Sequence, residues 1–238
     1  MPENQPDNEV IELFNKGNAA GMLNNFAEAF DCYLKAAEKG YAPAQCNLAF
    51  CYEKGHGVPQ NFQKAVEYYQ KAAKQGYAAA LSNLGWCFES GNGVEQNIDK
   101  AVACYTKAAE QGYAPAQGNL GFCCENGNGV PKDEKKAFGW YKIAAGQGNV
   151  FAQYNLGACY EKGKGVEADI NKAVEWYNKS AEHGYAPAQN CLGVCYEHGN
   201  GVVKNLQKAL DWYSYAAAQG YSAAQKNMDN INNIFRKK

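Results

Sequence analysis

Three side chains of metal-ligating type, Cys191, Cys195 and His198, fall at i, i+4 and i+7. On a helix that spacing puts them on one face, where they could supply three zinc ligands. The remaining chemistry is sparse. His56, His183 and His198 are the three histidines, too few for the common hydrolytic metal sites. None of Ser82, Ser90, Ser180, Ser214 and Ser222 begins a Ser-x-x-Lys nucleophile pattern. The Gly-x-Gly stretches follow helical patterns rather than strands, so they do not read as phosphate-cradling loops. Ten cysteines is a high count, yet Cys51, Cys87, Cys123, Cys159 and Cys195 recur at steps of 36. A cysteine at one repeated helical position behaves as a small buried apolar residue, which also accounts for Cys195. Cys32, Cys46, Cys104, Cys124 and Cys191 follow no such rule. The expectation is no metal, no cofactor and no catalytic residue.

The elements that carry these residues follow the same period. Gly40, Gly76, Gly112, Gly148, Gly184 and Gly220 are each 36 residues apart. A period of that size marks a stacked-repeat architecture. Five copies align from Tyr41 to Gly220. In the first, Ala44, Leu48, Cys51 and Gly55 form one helical stripe, and Ala65, Val66, Tyr69, Ala72 and Ala73 form another. Pro43, Pro115 and Pro187 suit a first helical position. Gly55 and Gly57 suit the stop after the first helix, through the positive φ that glycine adopts freely. Asn61, Asn97, Asp133, Asp169 and Asn205 are expected N-caps of the second helix. Each copy reads as helix–turn–helix with no strand. Residues 9–40 read as an N-terminal helical hairpin, 221–238 as a lone capping helix, and 1–8 as a polar, disordered tail.

Net charge is −1, from 23 basic and 24 acidic residues, which leaves no footprint for nucleic acid or an anionic membrane. The start, MPENQPDNEV, has no basic and apolar leader, and no membrane-spanning segment is present in the sequence. A soluble, cytoplasmic monomer is expected.

The repeated string A-x-x-x-L-G-x-C-Y-E-x-G-x-G-V, followed by K-A-V-x-x-Y-x-K-A-A-x-x-G, resembles the Sel-one-like repeat family, a branch of the tetratricopeptide superfamily. The match is carried by Leu84-Gly85, Gly91-Asn92-Gly93-Val94, Lys100-Ala101 and Tyr105 and their 36-step equivalents. The N-terminal hairpin looks more like an ordinary tetratricopeptide repeat, with Gly17-Asn18 followed by Phe26, Ala29, Cys32-Tyr33 and Ala36. The resemblance implies an all-α, right-handed α-α superhelix, a solenoid of about 13 helices. It also implies a non-catalytic adaptor or scaffold that binds a protein or peptide in the concave groove lined by the first helices. Some tetratricopeptide domains hold a partner's C-terminal carboxylate with Lys and Asn. Asn18 matches, but Phe14 stands where the lysine belongs, so that clamp is incomplete. A cysteine-rich, secreted branch of the family, associated with penicillin binding and β-lactamase activity, supplies the alternative. That branch has two bridging cysteines per repeat and only one recurs here. Cys32/Cys51 and Cys104/Cys123, each 19 apart, are the pairs that bridges would use; free thiols are expected.

Repetition separates scaffold from surface. Cys51, Glu53, Gly55, Gly57, Val58, Lys64, Ala65, Tyr69, Ala73 and Gly76 are identical in all five copies. Ala49, Gly85, Gly121, Gly157 and Gly193 keep a helix contact small. Glu53 in a last helical turn opposes the macrodipole and needs a partner; Lys64 across the turn is one reading, and a row of glutamates for a basic ligand is the other. Variable positions on the groove side are the expected recognition residues. Position 46 gives Cys46, Ser82, Gly118, Tyr154 and Asn190. Position 50 gives Phe50, Trp86 and Phe122, then Ala158 and Val194. Position 54 gives Lys54, Ser90, Asn126, Lys162 and His198. Glu89 belongs with them, as do Asn47, Asn83, Asn119 and Asn155, whose amides grip either a peptide backbone or the preceding turn. Helices ~10 Å apart would make a groove roughly 40 Å long, room for a segment of on the order of 12 residues.

Overall fold

The computed structural model describes residues 7–236, with side chains to 233. Among these residues the chain forms thirteen helices and no strand. Of the tail expected over 1–8, residues 1–6 lie outside the described residues, as do Lys237 and Lys238. Asp7 and Asn8 instead begin the first helix, with Asp7 Oδ1 accepting from the Glu9 N–H at 3.3 Å.

Two compact units divide at Ala116/Gln117. The first holds α1 (Asn8–Met22), α2 (Phe26–Glu38), α3 (Ala42–Lys54), α4 (Phe62–Lys74), α5 (Ala78–Ser90) and α6 (Ile98–Glu110). The division falls inside α7 (Ala114–Asn126). The second unit continues with α8 (Glu134–Gly146), α9 (Val150–Lys162), α10 (Ile170–Glu182), α11 (Ala186–His198), α12 (Leu206–Ala218) and α13 (Ser222–Arg236). Helices α1 to α6 in the first unit and α8 to α13 in the second each pack on their neighbours in sequence, the low-contact-order arrangement of a repeat stack.

Local chemistry explains each boundary. The second helices start where the sequence places them: Asn61, Asn97, Asp133, Asp169 and Asn205 are extended and accept from the backbone N–H three residues on, at 2.9–3.1 Å. The first helices start at a tyrosine without a side-chain cap, as at Tyr41, Tyr77 and Tyr185. In the fourth copy Asn149 replaces that tyrosine and caps Ala152 N–H at 2.8 Å, which compensates for the missing proline. Gly57 serves two ends at once. Its φ is +73°, and a Cβ there would collide with the Phe26 carbonyl oxygen of the preceding second helix. Gly93 and Gly165 meet Phe62 and Glu134 in the same way, so this glycine sets repeat-to-repeat spacing as well as the turn.

The core is built around one ring per repeat. Tyr69, Tyr105, Tyr141, Tyr177 and Tyr213 are fully buried. Gly85, Gly121 and Gly157 make room for them: a Cβ at any of the three would lie 2.7–2.8 Å from a ring carbon. Gly17 does the same for Tyr33, at 2.7 Å, so the N-terminal hairpin uses the packing rule of the later copies. The every-repeat cysteines Cys51, Cys87, Cys123, Cys159 and Cys195 are all buried, as a small apolar role requires.

A glutamine ladder ties the first helix of a repeat to the end of its second. Gln45, Gln117 and Gln189 accept through Oε1 from Gln75, Gln147 and Gln219 at 2.8, 2.7 and 2.9 Å. In the fourth copy His183 stands in the donor position and turns its Nδ1 to the Lys179 carbonyl oxygen, 2.8 Å away. Gln153 Oε1 is left buried with no hydrogen-bond partner.

Candidate protein-binding face

The repeated glutamates have a partner that the sequence reading did not assign. Tyr69 Oη donates to Glu53 Oε2 at 2.8 Å. Tyr105 binds Glu89 at 2.7 Å, Tyr141 binds Glu125 at 2.9 Å, Tyr177 binds Glu161 at 2.9 Å and Tyr213 binds Glu197 at 2.7 Å. Burial, chiefly, pushes the Tyr69, Tyr141, Tyr177 and Tyr213 phenols upward, so they remain protonated donors. A hydrogen bond to a charged acceptor of this kind contributes about 1.5–3 kcal/mol. Lys64 is therefore not the partner of Glu53. Its ammonium lies 5.2 Å from the Tyr52 ring, and Lys100, Lys172 and Lys208 sit 5.3–5.5 Å from Phe88, Tyr160 and Tyr196. The signal is in the sequence: Glu53 and Tyr69 are both invariant among the copies, but on the helical stripe Tyr69 reads as an apolar core residue.

At position 50 the structure puts large rings on the surface. Phe50, Trp86 and Phe122 are 42%, 38% and 39% exposed. In the first unit Phe50, Lys54 and Trp86 come together. Lys54 Nζ lies 5.5 Å from the Phe50 centroid and 5.8 Å from that of Trp86, while forming an ion pair with Glu53 Oε1 at 2.6 Å. Asn18, Met22, Phe26, Asn47, Phe50 and His56 border a cleft of about 410 Å³ beside it. His56 stacks on Phe26, with centroids 4.2 Å apart. In the second unit Phe122 leans on Phe151 at 6.3 Å. A larger hollow of about 760 Å³ lies by the Gly40 and Gly76 turns; its lysine, Lys39, is already paired with Glu9.

Position 54 is also on the surface. Lys54, Ser90, Asn126, Lys162 and His198 are exposed. Ser90 Oγ, Asn126 Nδ2 and His198 Nδ1 each fold back to the position-50 carbonyl oxygen of their own helix, at 2.8, 2.9 and 3.1 Å. Position 46 corrects the expectation. Cys46 and Ser82 are buried, closed to any partner, because the neighbouring repeat covers the inner edge of the first helix. Burial pushes the Cys46 thiol up to about 12, and its sulfur accepts from Asn83 Nδ2 at 3.8 Å. Tyr154 packs between Tyr177 and Tyr185, with centroids 5.8 and 5.4 Å away. Asn190 accepts from Asn227 Nδ2 at 3.1 Å.

The asparagine row is mixed. Asn47 Nδ2 donates to Asn18 Oδ1 at 3.1 Å, and Tyr33 Oη donates to the same oxygen at 2.9 Å. Asn18 is thus engaged internally, and no carboxylate clamp is formed with Phe14, which packs on Tyr33 and Tyr41. Asn83, Asn119 and Asn155 are half-buried. Asn155 Nδ2 has no hydrogen-bond partner among the described residues. Glu89, also half-buried, keeps one carboxylate oxygen on Tyr105.

Cys191, Cys195 and His198 do not assemble a ligand set. Cys195 is buried, and among the described residues no three His, Cys, Asp or Glu side chains are placed to hold a metal ion. All ten cysteines are unbridged. Among the described residues no helix is long and apolar enough to cross a membrane. The sequence reading also missed a row on the second helices of the second unit. Trp140, Trp176 and Trp212 are 36 apart and half-buried. Lys179 Nζ covers Trp176 at 4.0 Å, and Tyr215 meets Trp212 edge-on at 5.8 Å. The 36-step comparison would have found them.

The Sel1 repeat model matches six consecutive segments, 12–41, 42–77, 78–113, 114–149, 150–185 and 186–221. The chain belongs to the Sel1 repeat family. The first matched segment covers the N-terminal hairpin, so the model counts as a Sel1 repeat what the sequence likened to an ordinary tetratricopeptide repeat. The crystal structure of a Sel1 repeat protein from Oxalobacter formigenes is similar over 92% of this chain and 87% of that one, at 35% identity and a TM-score of 0.81. A protective antigen with an SLR fold, from uropathogenic Escherichia coli strains, matches 94% of this chain at 36% identity and a TM-score of 0.76; this chain spans 49% of it. An immunity protein from Pseudomonas aeruginosa, 22% identical over 91% of this chain and 84% of that one with a TM-score of 0.62, shares the fold. The curated proteins searched gave no match. The all-helical, tetratricopeptide-like repeat fold is thus shown. Sel1 repeats are in general protein-interaction modules and generally non-catalytic, and nothing found supports the β-lactamase alternative.

Proposed function

We propose that this Sel1 repeat protein is a non-catalytic scaffold that binds an extended segment of a partner protein on the face made by the first helices within a unit, that of the first unit above all. The observation that supports this reading is the exposure of position 50. Rings that fill gaps between repeats are buried: Tyr52, Tyr69 and Phe88 are 7%, 0% and 9% exposed. Phe50, Trp86 and Phe122 are far more exposed, at 42%, 38% and 39%. An aromatic held half in the fold and half in solvent has little entropy to lose on binding and much apolar area still to bury, which is the chemistry of an interface hot spot. Cys46 and Ser82 leave the set, and Asn47, Phe50, Lys54, Asn83, Trp86 and Glu89 remain its first-unit part.

Random 12-residue peptides displayed on phage provide the test. The chain is expected to select binders, and a Phe50→Ala/Trp86→Ala double variant is expected to lose them while keeping its helical content and melting cooperativity. Capture that survives both substitutions refutes the reading.

A further inference from the structure

The copies with an exposed ring differ in what neutralises their glutamate. In the first copy Lys54 does so, 2.6 Å from Glu53 Oε1 and flanked by the Phe50 and Trp86 rings. In the third copy, Lys164 reaches Glu125 Oε1 at 2.6 Å. The second copy has the ring, Trp86, and the carboxylate, Glu89, but no lysine. Ser90 occupies the position of Lys54 and bonds the Trp86 carbonyl oxygen at 2.8 Å. Tyr105 takes Glu89 Oε2 at 2.7 Å, and Glu89 forms no ion pair among the described residues. Glu161 and Glu197 form none either, but position 50 is Ala158 and Val194 there, so the aromatic wall is absent. Phe50–Glu53–Lys54 is an internal template for a cation held by a ring and a carboxylate; at Trp86–Glu89 the ring has Lys54 of the first copy 5.8 Å from its centroid, but the carboxylate has no cation of its own among the described residues.

We infer that Trp86 and Glu89 receive a basic side chain, lysine or arginine, from the bound segment. The inference rests on the reading of the first-helix face given above and names the partner chemistry that this face selects. A Tyr105-anchored carboxylate is held in place before binding, and a cation on an indole face beside it is partly shielded from water, which strengthens both contacts.

The test uses the pool of displayed 12-residue peptides selected on the intact chain, and one synthetic peptide from it. The pool should be enriched in lysine or arginine at one register. Glu89→Gln retains an oxygen for Tyr105 while removing the charge, and Ser90→Lys supplies the second copy with its own cation. Each should weaken the peptide about tenfold, or about 1.4 kcal/mol. Replacing the peptide's basic residue by methionine should weaken it by at least the same factor on the wild-type chain and by clearly less on Glu89→Gln, where only the Trp86 contact remains to be lost, a coupling that a purely structural role for Glu89 would not produce. If peptides depend on Phe50 and Trp86 but show no basic preference, or bind Glu89→Gln and Ser90→Lys unchanged, the inference fails and the parent reading stands. If the double alanine variant binds as tightly as the wild type, or the wild type selects nothing, both fail.

Discussion

His183→Gln should make the protein more stable. Gln153 is 5% exposed, and its Oε1 is buried without a partner because the fourth copy carries histidine where Gln75, Gln147 and Gln219 donate in other copies. An unpaired buried acceptor costs about 1–3 kcal/mol. Glutamine at 183 would place an amide N–H at the 2.7–2.9 Å seen in the other rungs. The bond lost is that of His183 Nδ1 with the Lys179 carbonyl oxygen, which is exposed and so contributes little; Gln219 makes the same contact with Tyr215 at 3.3 Å while holding its rung. The net gain is about 1–2 kcal/mol, or roughly 2–8 °C in Tm for a chain of this size. Urea denaturation measures it as a higher midpoint at unchanged slope. Gln153→Leu, which copies Leu81 of the second repeat, removes the orphan by the other route and should not destabilise. An unchanged or lower midpoint in His183→Gln, with a marked loss in Gln153→Leu, would refute the reasoning.

Other outcomes follow from the same contacts. Tyr69→Phe strips the buried Glu53 carboxylate of its hydroxyl donor and should cost about 1.5–3 kcal/mol in the urea midpoint. At Glu125, burial works to raise the carboxyl, but the Lys164 and Tyr141 hydrogen bonds outweigh it and hold the group below the usual carboxylate range. A depressed carboxyl stabilises the fold above its unfolded value and loses that contribution as pH falls through its folded value. Lys164→Met should therefore cost about 0.5 kcal/mol near neutrality, the pair being only partly buried, and the gap should close below the ordinary carboxylate range. Burial pushes the Cys87, Cys159 and Cys195 thiols up to about 12, so an aromatic disulfide reagent at pH 8 should react slowly with the native chain. Under denaturing, non-reducing conditions it should titrate ten thiols; a count near zero would favour the disulfide-bridged reading.

What the sequence made legible was local or periodic. The N-caps from Asn61 to Asn205 and the stop glycines are decided within a few residues, and the period multiplied each signal across the copies. What it concealed depends on how one helix registers against another. The Tyr69–Glu53 bond spans 16 residues and the Lys164–Glu125 pair 39, so neither lies within one periodic stripe. Cys46 and Phe50 are one helical turn apart on the same helix, yet one is buried and the other exposed. Only the covering neighbour separates them, and a helical-wheel argument does not contain that neighbour. The second-helix row of Trp140, Trp176 and Trp212 is legible in the 36-residue spacing, but it breaks off at Cys104 and Tyr68 in the first two copies and so is not a repeat-wide signal.

That row is also the rival surface, and one measurement separates it from the face proposed here. Hydrogen exchange read by mass spectrometry, with and without a selected 12-residue peptide, should show added protection in first-helix segments such as 47–54 and 83–90. Second-helix segments such as 136–143, 172–179 and 208–215 should be unchanged. Protection confined to the second helices would contradict the account.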